Sequence, residues 1–507
     1  MFSKFLLNRA YRFERILLLA YFLALSVAIG AHEMWRDELQ AWDIATHAGS
    51  LKDLFRNIRY EGHPMLWFVL LWLLHFLTGQ VVAMQLLNLL LGTFSISLLL
   101  FRSPFNRLEK LLITFGYYCF FEYGVLSRNY MIGILLIFWI CSLWQKRRKI
   151  PWQLFGCLLL LCQTSIYGML IALAFGFTLW ADWLLCIRGE AISLKGKASF
   201  WSAALLFGAG VLFTVYLLRP PADYGYANEW LLQPDWPHLR LILAGLGSAY
   251  LQLPSPTLHF WNNSLISSEA ALIAIALALV FLFSIALLAQ RSAVLLYVLG
   301  TLLIFVFCYV KFGWAARHLG HYWLVLLASF WLFKNEEKEL GPIRQRFLHR
   351  SAKAGGFIFL ILLMLQCYSN GYATWADLRY PFSNQKAAAR YIRKNYPGWP
   401  VCTQDYQALS LNAYLGYDLF QIAKLKTVPF VVWDQWGTQA VSVDSIPAQL
   451  GKTWLAQQRN YLWITNKVYE GPARLPDSLQ LTSVASFNGA IEEDENFSLY
   501  RVTKKVR

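Results

Sequence analysis

Two adjacent carboxylates, Asp37 and Glu38, lie a few residues beyond the first apolar run of the chain. A carboxylate that is partly removed from water and close to a cation can act as a general base toward a hydroxyl or an amine. Arg36 precedes the pair and could supply that cation, unless the backbone turns its side chain away. Acid pairs are common, so by pattern alone a solvated loop without chemistry is the more frequent explanation.

Two basic positions farther along the chain could bind an anion. Arg128 follows Ser127, and Arg317 precedes His318, each in a short polar step between apolar runs. An arginine near a membrane surface offers a fixed charge that suits a lipid-linked phosphate. The alternative is an anchor, in which the side chain only extends to the membrane interface.

The rest of the sequence indicates a membrane protein. Of its 507 residues, 57% are hydrophobic and 15% are charged, whereas soluble domains carry about 25% charged residues. Runs such as Glu269–Gln290 and Ser292–Val310 hold almost no charges between their ends. A helix needs roughly 20 mostly apolar residues to cross about 30 Å of hydrocarbon. A large soluble helical core would not need so many runs of this length.

The net charge of +16 does not indicate nucleic-acid binding. Much of the excess lies in short clusters beside apolar runs, including those at residues 102–110, 146–149 and 344–353. Loops retained in the cytoplasm are rich in Lys and Arg, so these clusters mark one side of the membrane, where anionic lipid head groups lie. Only Cys402 of the eight cysteines falls in the C-terminal region, which argues against a disulfide framework there.

We expect a polytopic α-helical protein with about eleven transmembrane helices, the first at Ile16–Ala31 with a cytoplasmic N-terminus. The run Pro64–Thr78 fits either a short span or an interfacial helix; only the interfacial reading leaves every basic cluster inside. Two large loops, residues 32–79 and 219–268, then lie outside with the C-terminus. The other expected spans are Gln80–Leu100, Leu111–Val125, Met131–Trp144, Trp152–Thr164, Tyr167–Ile187, Ser202–Leu218, Glu269–Gln290, Ala293–Val310, His321–Phe333 and Gly355–Leu365.

The composition changes from about Tyr368, where polar residues return and spanning runs stop. We therefore predict a transmembrane domain over residues 1–370 and a soluble extracytoplasmic α/β domain over residues 371–507. Ser383 is expected to cap a helix that continues through Asn395. The β-rich runs are Pro400–Thr403, Thr427–Val432, Tyr461–Thr465 and Phe497–Val502.

The first outer loop resembles that of the GT-C superfamily of membrane glycosyltransferases. The shared features are the pair Asp37-Glu38 just after the first membrane helix and the step Glu61–Pro64, which opens an apolar interfacial helix. The protein O-mannosyltransferases and the lipid A aminoarabinose transferase are similar in these motifs. Those families take a sugar from a polyprenyl phosphate and transfer it at the outer membrane face. The resemblance is firmest over Met1–Leu218.

The resemblance implies a hexosyl- or pentosyltransferase in which Asp37 is the general base that deprotonates the acceptor. Glu38 would orient Asp37 or the acceptor. Ser127 stands where family members often carry an aspartate, which puts that loop's usual acid in doubt. The candidate substrate-binding residues are Arg36, Glu61, His63, Arg128, Arg317 and His318.

The resemblance also allows a divalent metal, with Glu61 and His63 as ligands. His238 or His259 from the second outer loop could complete the set, because divalent metals accept mixed nitrogen and oxygen ligands. Two neighbouring ligands do not define a site. The alternative is that His63 only forms a hydrogen bond at the start of the interfacial helix.

The resemblance further implies a multi-pass protein of a bacterial inner membrane with a periplasmic C-terminal domain. Its partners would be a polyprenyl-phosphate sugar donor, a glycan, lipid or protein acceptor and membrane lipids, without nucleic acid. The alternative is a transporter or flippase of a lipid-linked or anionic solute, guided by Arg128 and Arg317. Transporters usually place charges and broken helices in mid-membrane, whereas these charges lie in outer loops and favour surface chemistry.

Overall fold

The computed structural model describes residues 9–189, 194–225, 230–311, 315–335, 342–435, 445–471, 475 and 479–505. Part of the expected second outer loop, residues 226–229, lies outside these ranges. The helices are α1 (Arg12–Ala31), α2 (Arg36–Thr46), α3 (Leu51–Asn57), α4 (Leu66–His75), α5 (Val82–Arg102), α6 (Arg107–Thr114), a π-helix (Tyr118–Val125), α7 (Tyr130–Leu143), α8 (Pro151–Cys162), α9 (Ile166–Gly189), α10 (Leu194–Leu217), α11 (Trp236–Tyr250), α12 (Glu269–Ala286), α13 (Arg291–Val310), α14 (Ala316–Asn335), α15 (Pro342–Arg379), α16 (Gln385–Asn395), α17 (Tyr406–Leu409), α18 (Asn412–Leu415) and α19 (Ile446–Gln457). The strands are β1 (Val401–Thr403), β2 (Leu419–Gln421), β3 (Lys426–Val428), β4 (Tyr461–Thr465), β5 (Leu479–Phe487) and β6 (Phe497–Lys504).

The described residues include seven helices that are long and apolar enough to cross a membrane. They are α1, α5, α9, α10, α12, α13 and α15. The protein is therefore a multi-pass membrane protein, but the expected count of about eleven helices is not confirmed. Two of the remaining expected spans correspond to α7 and α8, which have 14 and 12 residues and are short for a span.

The expected span Leu111–Val125 is not one regular helix. Helix α6 ends at Thr114, and the chain then forms the π-helix, whose side chains are all buried. The amide of Asn88 on α5 donates to the carbonyl oxygens of Tyr123 and Gly124, at 3.1 and 2.7 Å. These bonds satisfy carbonyl groups at the end of the π-helix, where the helix itself supplies no partner. The next residues, including Arg128, therefore follow a helix end that is held in place by these bonds.

Helix α4 lies within the run Pro64–Thr78, and its interfacial position stays a prediction. It has 10 residues, which at 1.5 Å per residue gives about 15 Å, half of the hydrocarbon thickness. The Trp72 indole donates to the Ala48 carbonyl oxygen (2.8 Å), and the Leu66 amide donates to that of Gln163 (3.1 Å). Helix α4 therefore packs beneath the first outer loop and supports α2.

The second outer loop contains a helix, α11, that was not expected. The carboxylate of Asp235 caps its first turn by accepting from the His238 amide at 2.9 Å, and a proline occupies the start. Residues Ile242–Tyr250 carry most of its buried positions and pack against α12 and α14. The loop is thus a structured part of the membrane domain.

The C-terminal region forms a six-stranded mixed sheet among the described residues, in the order β3-β2-β1-β4-β6-β5. Strands β2 and β4 flank β1 in parallel, and the other neighbours pair antiparallel. Strand β4 has the predicted bounds, whereas β2 and β5 were not predicted. Helix α16 begins at Gln385, and Ser383 accepts from the Gln385 amide at 3.1 Å without being the capping residue. This region confirms the predicted C-terminal domain with a β-sheet.

Helix α15 connects the two parts without a break. It has 38 residues and ends at Arg379, beyond the boundary expected near residue 370. Asp377 on its last turn contacts His32 at the end of α1. The C-terminal sheet is therefore joined to the outer end of α1 through a continuous helix and a buried ion pair.

Candidate active site

A buried carboxylate, Glu38, organises the start of α2. One oxygen accepts from the Trp35 amide (3.1 Å) and lies 3.0 Å from Nε2 of His32, and the other accepts from the Ser127 amide (2.6 Å). Its side chain is completely buried. The geometry is that of an orienting residue, since these bonds fix the helix start and the Ser127 loop to each other. Glu38 lies beside Asp37 as predicted, but its buried side chain is not accessible to a substrate.

His32 was missed by the sequence reasoning. Its two ring nitrogens lie 2.9 Å from a carboxylate oxygen of Asp377 and 3.0 Å from one of Glu38. Burial alone would lower the pKa of His32, but the two carboxylates outweigh burial and raise it to about 10. The imidazolium therefore donates to both carboxylates at neutral pH. A histidine after an apolar helix carries no local signal for such a role.

Asp37 lies among three guanidinium groups. Arg128 donates directly to one carboxylate oxygen, Arg317 lies 3.7 Å from the same oxygen, and Nε of Arg36 donates to the other at 3.2 Å. Burial would raise the pKa of Asp37, but the three nearby cations hold it well below its ordinary value. The group carries one negative charge against three positive charges, which leaves an excess of two.

The ring of Trp35 lies next to all three arginines. The guanidinium carbons of Arg36, Arg128 and Arg317 are 5.6, 5.7 and 5.5 Å from its centroid, within the range of cation–π attraction. Trp35 is 1% exposed, so the ring also limits access from its side. Fixed guanidinium groups in a partly dry site suit a phosphate, whose oxygens accept paired hydrogen bonds. We call Asp37 and these three arginines the arginine cluster.

His63 and Glu61 lie next to the arginine cluster. Nη2 of Arg128 is 3.3 Å from Nε2 of His63. Burial, together with the charge of Arg128, lowers the pKa of His63 to about 3, so the ring is neutral and accepts from Arg128. Glu61 accepts from the Gln40 amide at 2.9 Å, and burial raises the pKa of Glu61 to about 7.

The described side chains do not fit the suggested metal site. They contain no group of three or more His, Cys, Asp or Glu side chains arranged to hold a metal ion. His238 contacts the Tyr309 carbonyl oxygen (3.0 Å), and His259 contacts that of Ile491 (3.0 Å). Metal binding by Glu61 and His63 with either histidine stays a prediction, and we derive no step through a metal.

His318 has a different position from its neighbour Arg317. Arg317 approaches Asp37, and its carbonyl oxygen accepts from the Tyr123 hydroxyl at 2.7 Å. His318 is 6% exposed and stacks on Tyr167 with 5.0 Å between ring centroids. The stacking supports helix α14 from within, and substrate binding by His318 stays a prediction.

The C-terminal domain contributes residues that the sequence reasoning missed. A carboxylate oxygen of Glu495 accepts from the Arg36 amide at 2.8 Å, and the ring of Tyr406 lies 5.0 Å from the Arg36 guanidinium carbon. Gln40 on α2 makes two hydrogen bonds with the backbone of Val431, at 2.8 and 2.9 Å. Hundreds of residues separate these partners in the chain, so no local pattern could have indicated them.

No family model and no curated protein matches the chain. The fold is similar to the crystal structure of ArnT from Cupriavidus metallidurans bound to undecaprenyl phosphate, with a TM-score of 0.52. The two chains are 11% identical, and the match covers 96% of this chain and 97% of that chain. This chain therefore has the same fold as that structure. The resemblance noted in the first outer loop is thereby confirmed at the level of the fold.

The fold brings together six of the predicted site residues. These are Arg36, Asp37, Glu61, His63, Arg128 and Arg317. Each comes from a segment at or next to the start of a helix: the start of α2, the segment before α4, the loop before α7 and the start of α14. Convergence of four separate segments on one carboxylate identifies this place as the candidate active site.

Removal of the central carboxylate should destabilise the protein, because three guanidinium groups would lose their counter-charge. We expect Asp37→Asn to lower the stability by about 3 kcal/mol, as for other broken buried ion pairs. Arg128→Gln should lower the free energy of unfolding less when it is added to Asp37→Asn than when it is made in the native chain. The difference between the two losses, which is the coupling energy of the pair, should be at least about 1 kcal/mol. Chemical unfolding of the four proteins in mixed micelles measures this coupling. Strictly additive effects would contradict the described ion pair.

Proposed function

We propose that this protein is a glycosyltransferase that moves a sugar from a polyprenyl-phosphate donor to an acceptor at the outer face of the membrane. The observation that carries the proposal is the single carboxylate, Asp37, held among three guanidinium groups above Trp35. The GT-C fold supports the same class of reaction. The sugar is a hexose or a pentose, and the acceptor is a glycan, a lipid or a protein.

The charge of the arginine cluster matches the charge that develops in this reaction. A polyprenyl phosphate joined to a sugar is a phosphodiester with one negative charge. After the sugar leaves, the lipid phosphate is a monoester that carries close to two charges at neutral pH, because its second pKa is near 6. An excess of two positive charges therefore stabilises the charge that develops on the leaving phosphate in the transition state more than it stabilises the bound donor, which lowers the barrier to transfer.

Asp37 would act as the base in the complex with donor. The acceptor oxygen or nitrogen forms a bond to the anomeric carbon, the bond between that carbon and the phosphate oxygen breaks, and the electron pair remains on the phosphate. The acceptor proton passes to Asp37. In the free protein three cations lower the pKa of Asp37 and make it a weak base. A bound phosphate shares those cations, which raises the pKa of Asp37 when the donor is in place.

Two neighbouring residues support this arrangement from outside the reaction. Glu38 fixes the loop that carries Arg128, and His63 accepts from Arg128 and so directs its second nitrogen. Neither needs to exchange a proton.

A transporter or flippase would instead place charges along a path through the helices, whereas these charges converge at one outer position.

Asp37→Asn should reduce sugar transfer by at least about 100-fold, the usual contribution of a general base. The assay uses membranes and a labelled lipid-linked sugar, with expression checked in parallel. Glu33→Gln is the matched control, since Glu33 is a half-buried acid on the same segment that does not contact the arginine cluster. Full activity of a normally expressed Asp37→Asn protein would refute the assigned base.

Arg317→Gln should weaken binding of undecaprenyl phosphate by about 10-fold or more, because a hydrogen bond to a charged group contributes about 1.5–3 kcal/mol. Native mass spectrometry of the purified protein with added lipid measures the change. Arg240→Gln serves as control, since Arg240 pairs with Glu269 on an exposed surface of α11. Equal binding by both variants would show that the arginine cluster does not hold the lipid phosphate.

The proposed orientation places the C-terminal domain in the periplasm and the basic 146–149 segment in the cytoplasm. A cysteine introduced at Asn395, an exposed residue at the end of α16, should react with a membrane-impermeant maleimide once the outer membrane is opened. A cysteine at Lys149, also exposed, should react only after lysis. Each is compared with the native protein, and the reverse pattern would overturn the orientation.

A further inference from the structure

The strand order of the C-terminal sheet reverses at the carboxyl end of β1. Strands β2 and β4 lie parallel on opposite sides of β1, so the chain leaves this central strand first to one side and later to the other. In open α/β sheets ligands bind where the strand order reverses, outside the carboxyl ends of the strands. The residues at this position are Gln404, Asp405 and Tyr406.

The segment that follows the carboxyl end of β1 lies next to the arginine cluster. Tyr406 lies 5.0 Å from the guanidinium carbon of Arg36, and the Ser410 hydroxyl lies 3.4 Å from the Arg36 carbonyl oxygen. Glu495 accepts from the Arg36 amide. One residue, Arg36, thus belongs both to the phosphate-binding cations and to the edge of the sheet.

Trp433 and Glu61 continue the same wall. The rings of Tyr406 and Trp433 are 5.2 Å apart at 66°, and the Trp433 side chain hydrogen-bonds to the Glu61 carboxylate. The Trp433 carbonyl oxygen accepts from the Gly225 amide at 2.9 Å. Both outer loops of the membrane domain therefore hold Trp433 in position, and its side chain remains half-buried rather than enclosed.

Glu61 lies close to the reacting position. Asp37 and Gln40 are three residues apart on α2 and so lie on one face of the helix, one turn from each other. Gln40 donates to Glu61 at 2.9 Å. A group attached to a phosphate in the arginine cluster, and passing along this face of α2, therefore meets Glu61, Trp433 and then Tyr406.

The chemistry of this wall fits a polyhydroxylated sugar ring. Aromatic faces pack against the apolar C–H surface of such a ring, and a carboxylate accepts hydrogen bonds from its hydroxyl groups. The sugar of the donor is joined directly to the phosphate, so it must lie within one ring diameter of the arginines. Trp35 and the hydrogen-bonded groups around the buried Glu38 block the side of the arginine cluster that faces the membrane domain. The sugar must therefore lie on the side that faces the C-terminal domain.

We propose that Tyr406, Trp433 and Glu61 form the binding wall for the donor sugar, so that the C-terminal domain helps to select the sugar. This inference rests on the proposed glycosyltransferase function. It assigns the sugar to these residues at the carboxyl end of β1 and the lipid phosphate to the arginine cluster. The competing explanation is that the two aromatic side chains only pack the two domains together.

The test separates sugar binding from phosphate binding. The probes are undecaprenyl phosphate alone and undecaprenyl phosphate linked to glucose, mannose or arabinose, added to the full-length protein in detergent. We expect the native protein to bind at least one sugar-bearing lipid more tightly than the sugar-free lipid. Trp433→Leu should remove most of that difference, roughly 3- to 10-fold, while leaving affinity for undecaprenyl phosphate unchanged. Glu61→Gln should act in the same direction.

The matched control is Trp399→Leu, a half-buried tryptophan of the same domain that packs on Tyr396 away from the arginine cluster. Thermal unfolding of both variants measures any loss of domain packing. If Trp433→Leu lowers the unfolding temperature but preserves the preference for the sugar-bearing lipid, the wall is structural and the inference is wrong. Equal binding of all four lipids by the native protein also overturns it. If the native protein does not bind undecaprenyl phosphate, the proposed function itself is refuted.

Discussion

The candidate site depends on one buried carboxylate that does not face a substrate. A carboxylate without water is costly unless it is fully hydrogen-bonded, and Glu38 has partners from the end of α1, the start of α2 and the loop before α7. Those three segments can satisfy it only in one arrangement. The same arrangement brings Arg128 to Asp37, so a stability requirement inside the protein determines the geometry at its surface.

A second consequence concerns charge. The arginine cluster holds more positive than negative charge in a place that is largely removed from water, which stability alone would not favour, although Glu38, Glu492 and Glu495 also attract these arginines. The aromatic ring of Trp35 and the acids of the C-terminal domain reduce this cost without removing it. An excess that the protein retains but does not neutralise is available to an anionic ligand. Binding of such a ligand would relieve the repulsion among the arginines, and this relief would add to the free energy of binding.

The sequence predicted this site in part. The membrane fold follows from hydropathy, and Arg128 and Arg317 were singled out because charges are costly to retain near a bilayer. Asp37 was singled out only by the resemblance of its loop to a known superfamily. Strand β2 has three residues, too few for an alternating pattern. The contributions of Tyr406 and Glu495 arise from tertiary contacts across most of the chain length, and no local propensity encodes such contacts. Helix α11 was missed because its run is shorter and more polar than a span.

The unbroken helix α15 limits how the length of the connection between the two parts of the molecule can change. Each residue inserted into a helix advances it by about 1.5 Å and turns everything beyond it by about 100°. One added residue in α15 would rotate Asp377 away from His32 and the C-terminal sheet away from α2. Length changes that approach whole turns would preserve both contacts. The helix therefore restricts changes in the length of this connection to steps of about one whole turn.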